Sequence, residues 1–108
     1  MKNKPIIIIN GEPNSIFLEI FFKIICKHKF KSPIILITSK KLLDLQMKKL
    51  KFKKKIKLLE LLTLNKKKLN NKVINLIDVE YNPKKAFEKI STKSNIFVEN
   101  SFKLAFKV

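Results

Sequence analysis

Ile6-Ile7-Ile8-Ile9-Asn10-Gly11-Glu12-Pro13-Asn14-Ser15-Ile16-Phe17-Leu18-Glu19 passes from a β-branched run, through a turn, into a helical repeat. Pro5 to Asn10 predicts a short strand. A run with no polar alternation suits a strand covered on both faces, as in a parallel sheet. Gly11-Glu12-Pro13-Asn14 predicts the turn, and Asn14 or Ser15 can cap the helix that follows. From Ile16 to His28 the residues Ile16, Phe17, Ile20, Phe21, Ile24 and Ile25 recur at helical spacing. Glu19, Lys23 and Lys27 share the opposite face at four-residue intervals. The acid is nearer the N-terminus, where the helix dipole favours it.

Working outward, Ser32-Pro33 breaks the chain and Ile34–Thr38 predicts a second buried strand. Ser39 can cap a helix running to about Leu50, with Leu43, Met47 and Leu50 on one stripe. Strand, helix, strand, helix is the order of a parallel sheet with right-handed crossovers, so the fold class reads as α/β. Ile56–Leu62 predicts a third strand. Val73–Val79 predicts a fourth, its mixed alternation around Asn75 and Asp78 suiting an edge or half-buried position. Asn65–Asn71 reads as a loop rich in lysine and asparagine, and Tyr81-Asn82-Pro83 as a turn. Lys84–Lys93 has no clear pattern. A last helix begins near Ser94 with a wide apolar face of Phe97, Val98, Phe102, Ala105 and Phe106. It reaches Val108 without a glycine or proline terminator.

Composition narrows the chemistry. The chain has 108 residues and a net charge of +17, and all 25 basic residues are lysine. That length suits one domain with one modest core. One glycine is too few for a GxGxxG dinucleotide fingerprint or a GxxxxGK[ST] phosphate loop. One cysteine cannot form an internal disulfide, and one cysteine with one histidine cannot close a zinc site. The charge first suggests nucleic acid, but recognition of phosphates and base edges leans on arginine's planar fork, which is missing. Abundant Lys, Ile, Asn and Phe beside scarce Gly and Ala match AT-rich codons, so base composition accounts for the charge. A small lysine-rich nucleic-acid-binding module is the alternative reading, and it requires steeply salt-dependent binding. The apolar runs Ile6–Ile9 and Pro33–Thr38 fall far short of a membrane span of about 18 residues. Asn10-Gly11-Glu12-Pro13 ends the first run too early for a signal peptide. A cytoplasmic protein is the expectation.

Candidate reactive residues are few. His28 reads as a solvated residue at a helix C-terminus, with no carboxylate nearby in sequence to orient it. Cys26 has lysines near it but reads as a small packing residue. Lys53–Lys55 and Lys66–Lys68 read as solvated clusters, lacking the interleaved aromatics of a single-strand platform. The Gly11 turn stands apart. In a parallel sheet, ligands bind at the carboxyl ends of strands, where this turn lies. The lone glycine marks a backbone need there.

Lys4-Pro5-Ile6 through Glu19 resembles the opening of the 4-hydroxythreonine-4-phosphate dehydrogenase family of pyridoxine biosynthesis. That opening is a hydrophobic strand, then Gly-Asp/Glu-Pro-Ala-Gly-Ile-Gly-Pro-Glu, then a helix. Gly11, Glu12, Pro13, Ile16 and Glu19 match at the right spacing. Asn14, Ser15, Phe17 and Leu18 stand where the family has Ala, Gly, Gly and Pro. The strand at Pro33–Thr38, the helix carrying Leu42-Leu43, and Phe97-Val98-Glu99-Asn100-Ser101 resemble later parts of the family pattern. The resemblance implies an isocitrate/isopropylmalate dehydrogenase-like α/β fold with a mostly parallel sheet. It also implies NAD(P)-dependent oxidation of a small phosphorylated amino acid, 4-phosphooxy-L-threonine, with a divalent metal, in a homodimer. Family members are much longer, so residues 1–108 are expected to be a single incomplete domain, an N-terminal fragment. The metal-binding histidines and the catalytic residues of the family are expected beyond Val108. His28 matches none of them, and the isolated fragment is expected to be inactive.

Overall fold

The computed structural model describes residues 4–11, 13, 16–60, 69–83 and 92–107. Its strands are β1 (Ile6–Ile9), β2 (Ile34–Thr38), β3 (Ile56–Leu58) and β4 (Ile74–Asp78). They form a sheet in the order β1-β2-β4-β3, and each neighbouring pair is parallel. The helices are α1 (Phe17–Lys27), α2 (Lys40–Lys49) and α3 (Thr92–Ala105). α1 touches α2, while α3 packs against β1 and β2. The α/β class and the parallel sheet read from the sequence are what the chain forms.

The core lies along the two central strands. Every residue of β2 is buried, as are Ile74, Asn75, Leu76 and Ile77 of β4. Leu36, Ile37 and Leu76 lose all contact with solvent, which stabilises the fold by about 1.5–3 kcal/mol for each such side chain. Residue pairing puts Leu36 beside Ile8 on one side and Leu76 on the other. The hydrophobic continuity of β2 therefore follows from its central place.

Strand positions differ from the expectation at both ends. β1 is an edge strand with Ile6 and Ile7 exposed, not a strand covered on both faces. β4, expected to be an edge or half-buried strand, is central and buried. The physical reason is Asn75. Its amide Nδ2 donates to the carbonyls of Ile34 at 3.0 Å and Asn70 at 2.9 Å. A polar residue with its donors satisfied is tolerated inside the sheet. A β-branched run, for its part, looks the same in an edge strand as in a central one.

The buried face of α1 also departs from the expected stripe. Leu18, Phe21 and Phe22 are its buried residues, while Ile16, Ile20 and Ile24 are exposed. Residues 16–25 are apolar almost all round, so spacing does not choose a face. The aromatic rings choose it: Phe22 stacks on Phe52 with ring centres 4.6 Å apart, and Phe21 meets Phe22 at 6.2 Å. The N-cap position is Ile16, which makes no side-chain cap. Asn14 and Ser15, the expected caps, lie outside the described residues.

α2 is capped as expected. Ser39 Oγ accepts from the N–H of Leu42 at 3.2 Å and donates to the carbonyl of Tyr81 at 3.1 Å. Its buried residues are Leu42, Leu43, Gln46 and Met47, with Leu50 half-buried. At its other end Lys51 takes a left-handed φ of 55°. The N–H of Phe52 returns to the carbonyl of Met47 at 2.9 Å and that of Lys51 to Lys48 at 3.4 Å. This is a Schellman stop with lysine where glycine is preferred.

In α3 Phe97 is buried against Tyr81, ring centres 5.0 Å apart, and Ser101 Oγ donates to the Phe97 carbonyl at 2.8 Å. Phe102 and Phe106 are exposed rather than part of a wide core face. The end of the expected third strand (Leu61-Leu62), Asn65–Lys68 and most of Lys84–Lys93 lie outside the described residues.

Candidate functional site

Parallel strands bring their carboxyl ends to one side of the sheet, and there the Gly11 turn leaves β1. The chain is tied across this end by the N–H of Asn10 to Ile37 at 3.1 Å and of Val79 to Thr38 at 3.0 Å. Asn10 Nδ2 donates to Thr38 Oγ1 at 2.9 Å, both side chains being buried. Asn10 Oδ1 is buried and accepts no hydrogen bond from the described residues. Asp78, at the end of β4, accepts from the N–H of Lys40 at 2.8 Å, where the positive end of the α2 dipole favours an acid. Lys40 Nζ also reaches Asp44 at 2.8 Å, and Lys41 Nζ donates to Asn82 Oδ1 at 2.7 Å.

Gly11 has φ +73°, and a Cβ placed there would meet nothing within 4 Å. Glycine is therefore needed for its backbone angle and not for close approach of another group. Pro13 is buried, and its carbonyl accepts from Gln46 Nε2 at 3.0 Å, which pins the turn to α2. Glu19 sits half-buried in the first turn of α1. Glu12 lies outside the described residues, as do Lys66–Lys68. Gly11 thus directly follows Asn10 of the Asn10–Thr38 pair, Pro13 is held by Gln46 of α2, and Glu19 lies in the first turn of α1.

Cys26 and His28 belong to the opposite end of the sheet. Both are exposed, so Cys26 is not the packing residue expected from its helix-flank position. They lie at the rim of a cavity of about 610 Å³ near the amino ends of β2 and β4. Two asparagines organise that end, and neither was a candidate site residue from the sequence. Asn71 Oδ1 accepts from the N–H of Ile34 at 2.8 Å. Its Nδ2 donates to Ser32 at 2.9 Å and Phe30 at 3.3 Å. Asn75 is the other. The only sequence signal for it was a polar residue amid Val73–Val79.

No known family model matches the chain, and no curated protein matches it. Among the described residues no three His, Cys, Asp or Glu side chains gather as metal ligands. Among them, too, no helix is long and apolar enough to cross a membrane.

Proposed function

We propose that the chain is a divergent N-terminal portion of an enzyme of the 4-hydroxythreonine-4-phosphate dehydrogenase type, built on an isocitrate/isopropylmalate dehydrogenase-like fold. One observation carries the reading: the motif glycine leaves the end of β1 in the left-handed region, at the ligand-binding end of a parallel sheet. Gly11-Glu12-Pro13 and, after the intervening residues, Ile16 and Glu19 keep the family spacing around it.

In such an enzyme a bound NAD(P) would supply the hydride acceptor for oxidation at the hydroxyl-bearing carbon of 4-phosphooxy-L-threonine, and no described residue is assigned to hold it. The described residues assemble no set of ligands for a divalent metal, so no step through the metal is assigned to them. Their contribution is a frame. Asn10 and Thr38 lock the ends of β1 and β2, Gln46 holds the turn through Pro13, and Asn10 Oδ1 is left as a buried acceptor.

The test is a chimera in which residues 1–108 replace the matching N-terminal segment of an enzyme of that family. Reduction of NAD by 4-phosphooxy-L-threonine is the expected result, while the 108-residue chain alone gives none. A chimera that melts cooperatively yet shows no turnover, beside an active parent, overturns the reading.

A further inference from the structure

The cavity near the amino ends of β2 and β4 lies at the far end of the sheet from the Gly11 turn. Its volume, about 610 Å³, is in the range of small-molecule sites. Buried Phe21, Ile34, Leu36 and Ile74 supply an apolar floor. Lys27, Lys29 and Lys72, all exposed, and half-buried Lys54 also line it, and none of its described lining residues is a carboxylate. A cleft with walls of one charge sign and an apolar floor concentrates the field of those charges. The C-terminal end of α1 contributes about half a negative charge nearby, which four ammonium groups outweigh.

The floor therefore takes an apolar body and the rim an anion.

We propose that this cavity binds a small amphipathic anion with a ring-sized apolar body. Its ring lies on the apolar floor, and its phosphate or carboxylate meets the lysine rim. This site is independent of the dehydrogenase reading.

Fluorescence titration with 2-naphthyl phosphate tests it. That probe is expected to bind saturably at one site. 2-Naphthol, without the anion, and inorganic phosphate, without the ring and read by displacement of the probe, should each bind about tenfold or more weakly. 2-Naphthoate shows whether a carboxylate serves in place of the phosphate. Lys27→Glu with Lys72→Glu should also weaken the phosphate probe about tenfold. Lys49→Glu with Lys107→Glu makes the same charge change outside the cavity and should leave its affinity within about twofold. Cys26, the single cysteine and a lining residue, supplies a second readout on the unaltered chain, since bound probe should slow its alkylation by iodoacetamide. The proposal is overturned by absence of saturation, by equal affinity for the stripped analogues, or by equal losses in the two charge-reversed variants. Unprotected Cys26 at saturating probe overturns it as well.

Discussion

Asn10 and Thr38, 28 residues apart in the chain, meet at 2.9 Å where β1 and β2 end. The contact joins the residue before the turn glycine to the residue before the α2 cap, so it aligns two strand-to-helix turns at once. Both side chains are buried, so their polar atoms have no ready exchange with water.

Thr38→Val keeps the shape of Thr38 and removes the acceptor. Asn10 Nδ2 is then buried without a partner, which costs about 1–3 kcal/mol. The expected result is a lower urea midpoint at unchanged slope. Thr38→Ser, which keeps the hydroxyl, should recover most of the loss. Equal midpoints for the Val variant and the parent would show that the bond contributes nothing.

Gly11→Ala should destabilise by about 1–2 kcal/mol, the cost of a left-handed backbone for an ordinary residue. Open space around the would-be Cβ means no clash adds to this. Gly11→Asn should therefore cost clearly less, because asparagine tolerates that region. Thermal melts of the two variants separate backbone strain from crowding, and equal losses would contradict the assignment.

Lys51→Gly is expected to stabilise. Lysine at φ 55° in the Schellman stop carries the strain that glycine avoids. A gain of about 1 kcal/mol should appear as a higher melting temperature. A drop on substitution would mean that Lys51 makes a contact worth more than the strain.

Asn71→Ala removes three hydrogen bonds that staple the segment before β2 to the segment before β4. A loss of about 1–3 kcal/mol is expected, with faster amide exchange at Ile34. Unchanged exchange at Ile34 would show that water replaces the side chain at no cost.

Leu36→Ala and Ile20→Ala separate core from surface. Leu36 is fully buried in β2, and truncation should cost about 2–5 kcal/mol. Ile20 is 46% exposed on α1, so its truncation should cost well under half as much. Similar losses at the two sites would return Ile20 to the core face that helical spacing suggested.

Local signals were sufficient for the elements themselves. The β-branched runs at Ile6–Ile9 and Ile34–Thr38 became strands, Ser39 became a cap, and alternation of strand and helix became a parallel sheet. Each of these depends on neighbours within a few residues, where propensity and capping act. The glycine at position 11 was also legible, because a left-handed turn has a direct chemical preference.

Tertiary structure alone decided which strand is central, which helix face is buried, and what the polar residues satisfy. Asn75 reads as the mark of an edge or half-buried strand until the carbonyls of Ile34 and Asn70 are brought to its amide. Ile16, Ile20 and Ile24 read as core until Phe22 stacks on Phe52 and takes that role. The cavity beneath Lys27 and Lys72 likewise exists only once the amino ends of β2 and β4 lie side by side. The reason is common to all three. Hydrophobic burial is non-directional, and a buried polar atom needs only a partner of the right kind. Chain segments far apart in sequence supplied those partners, and no local pattern specifies them.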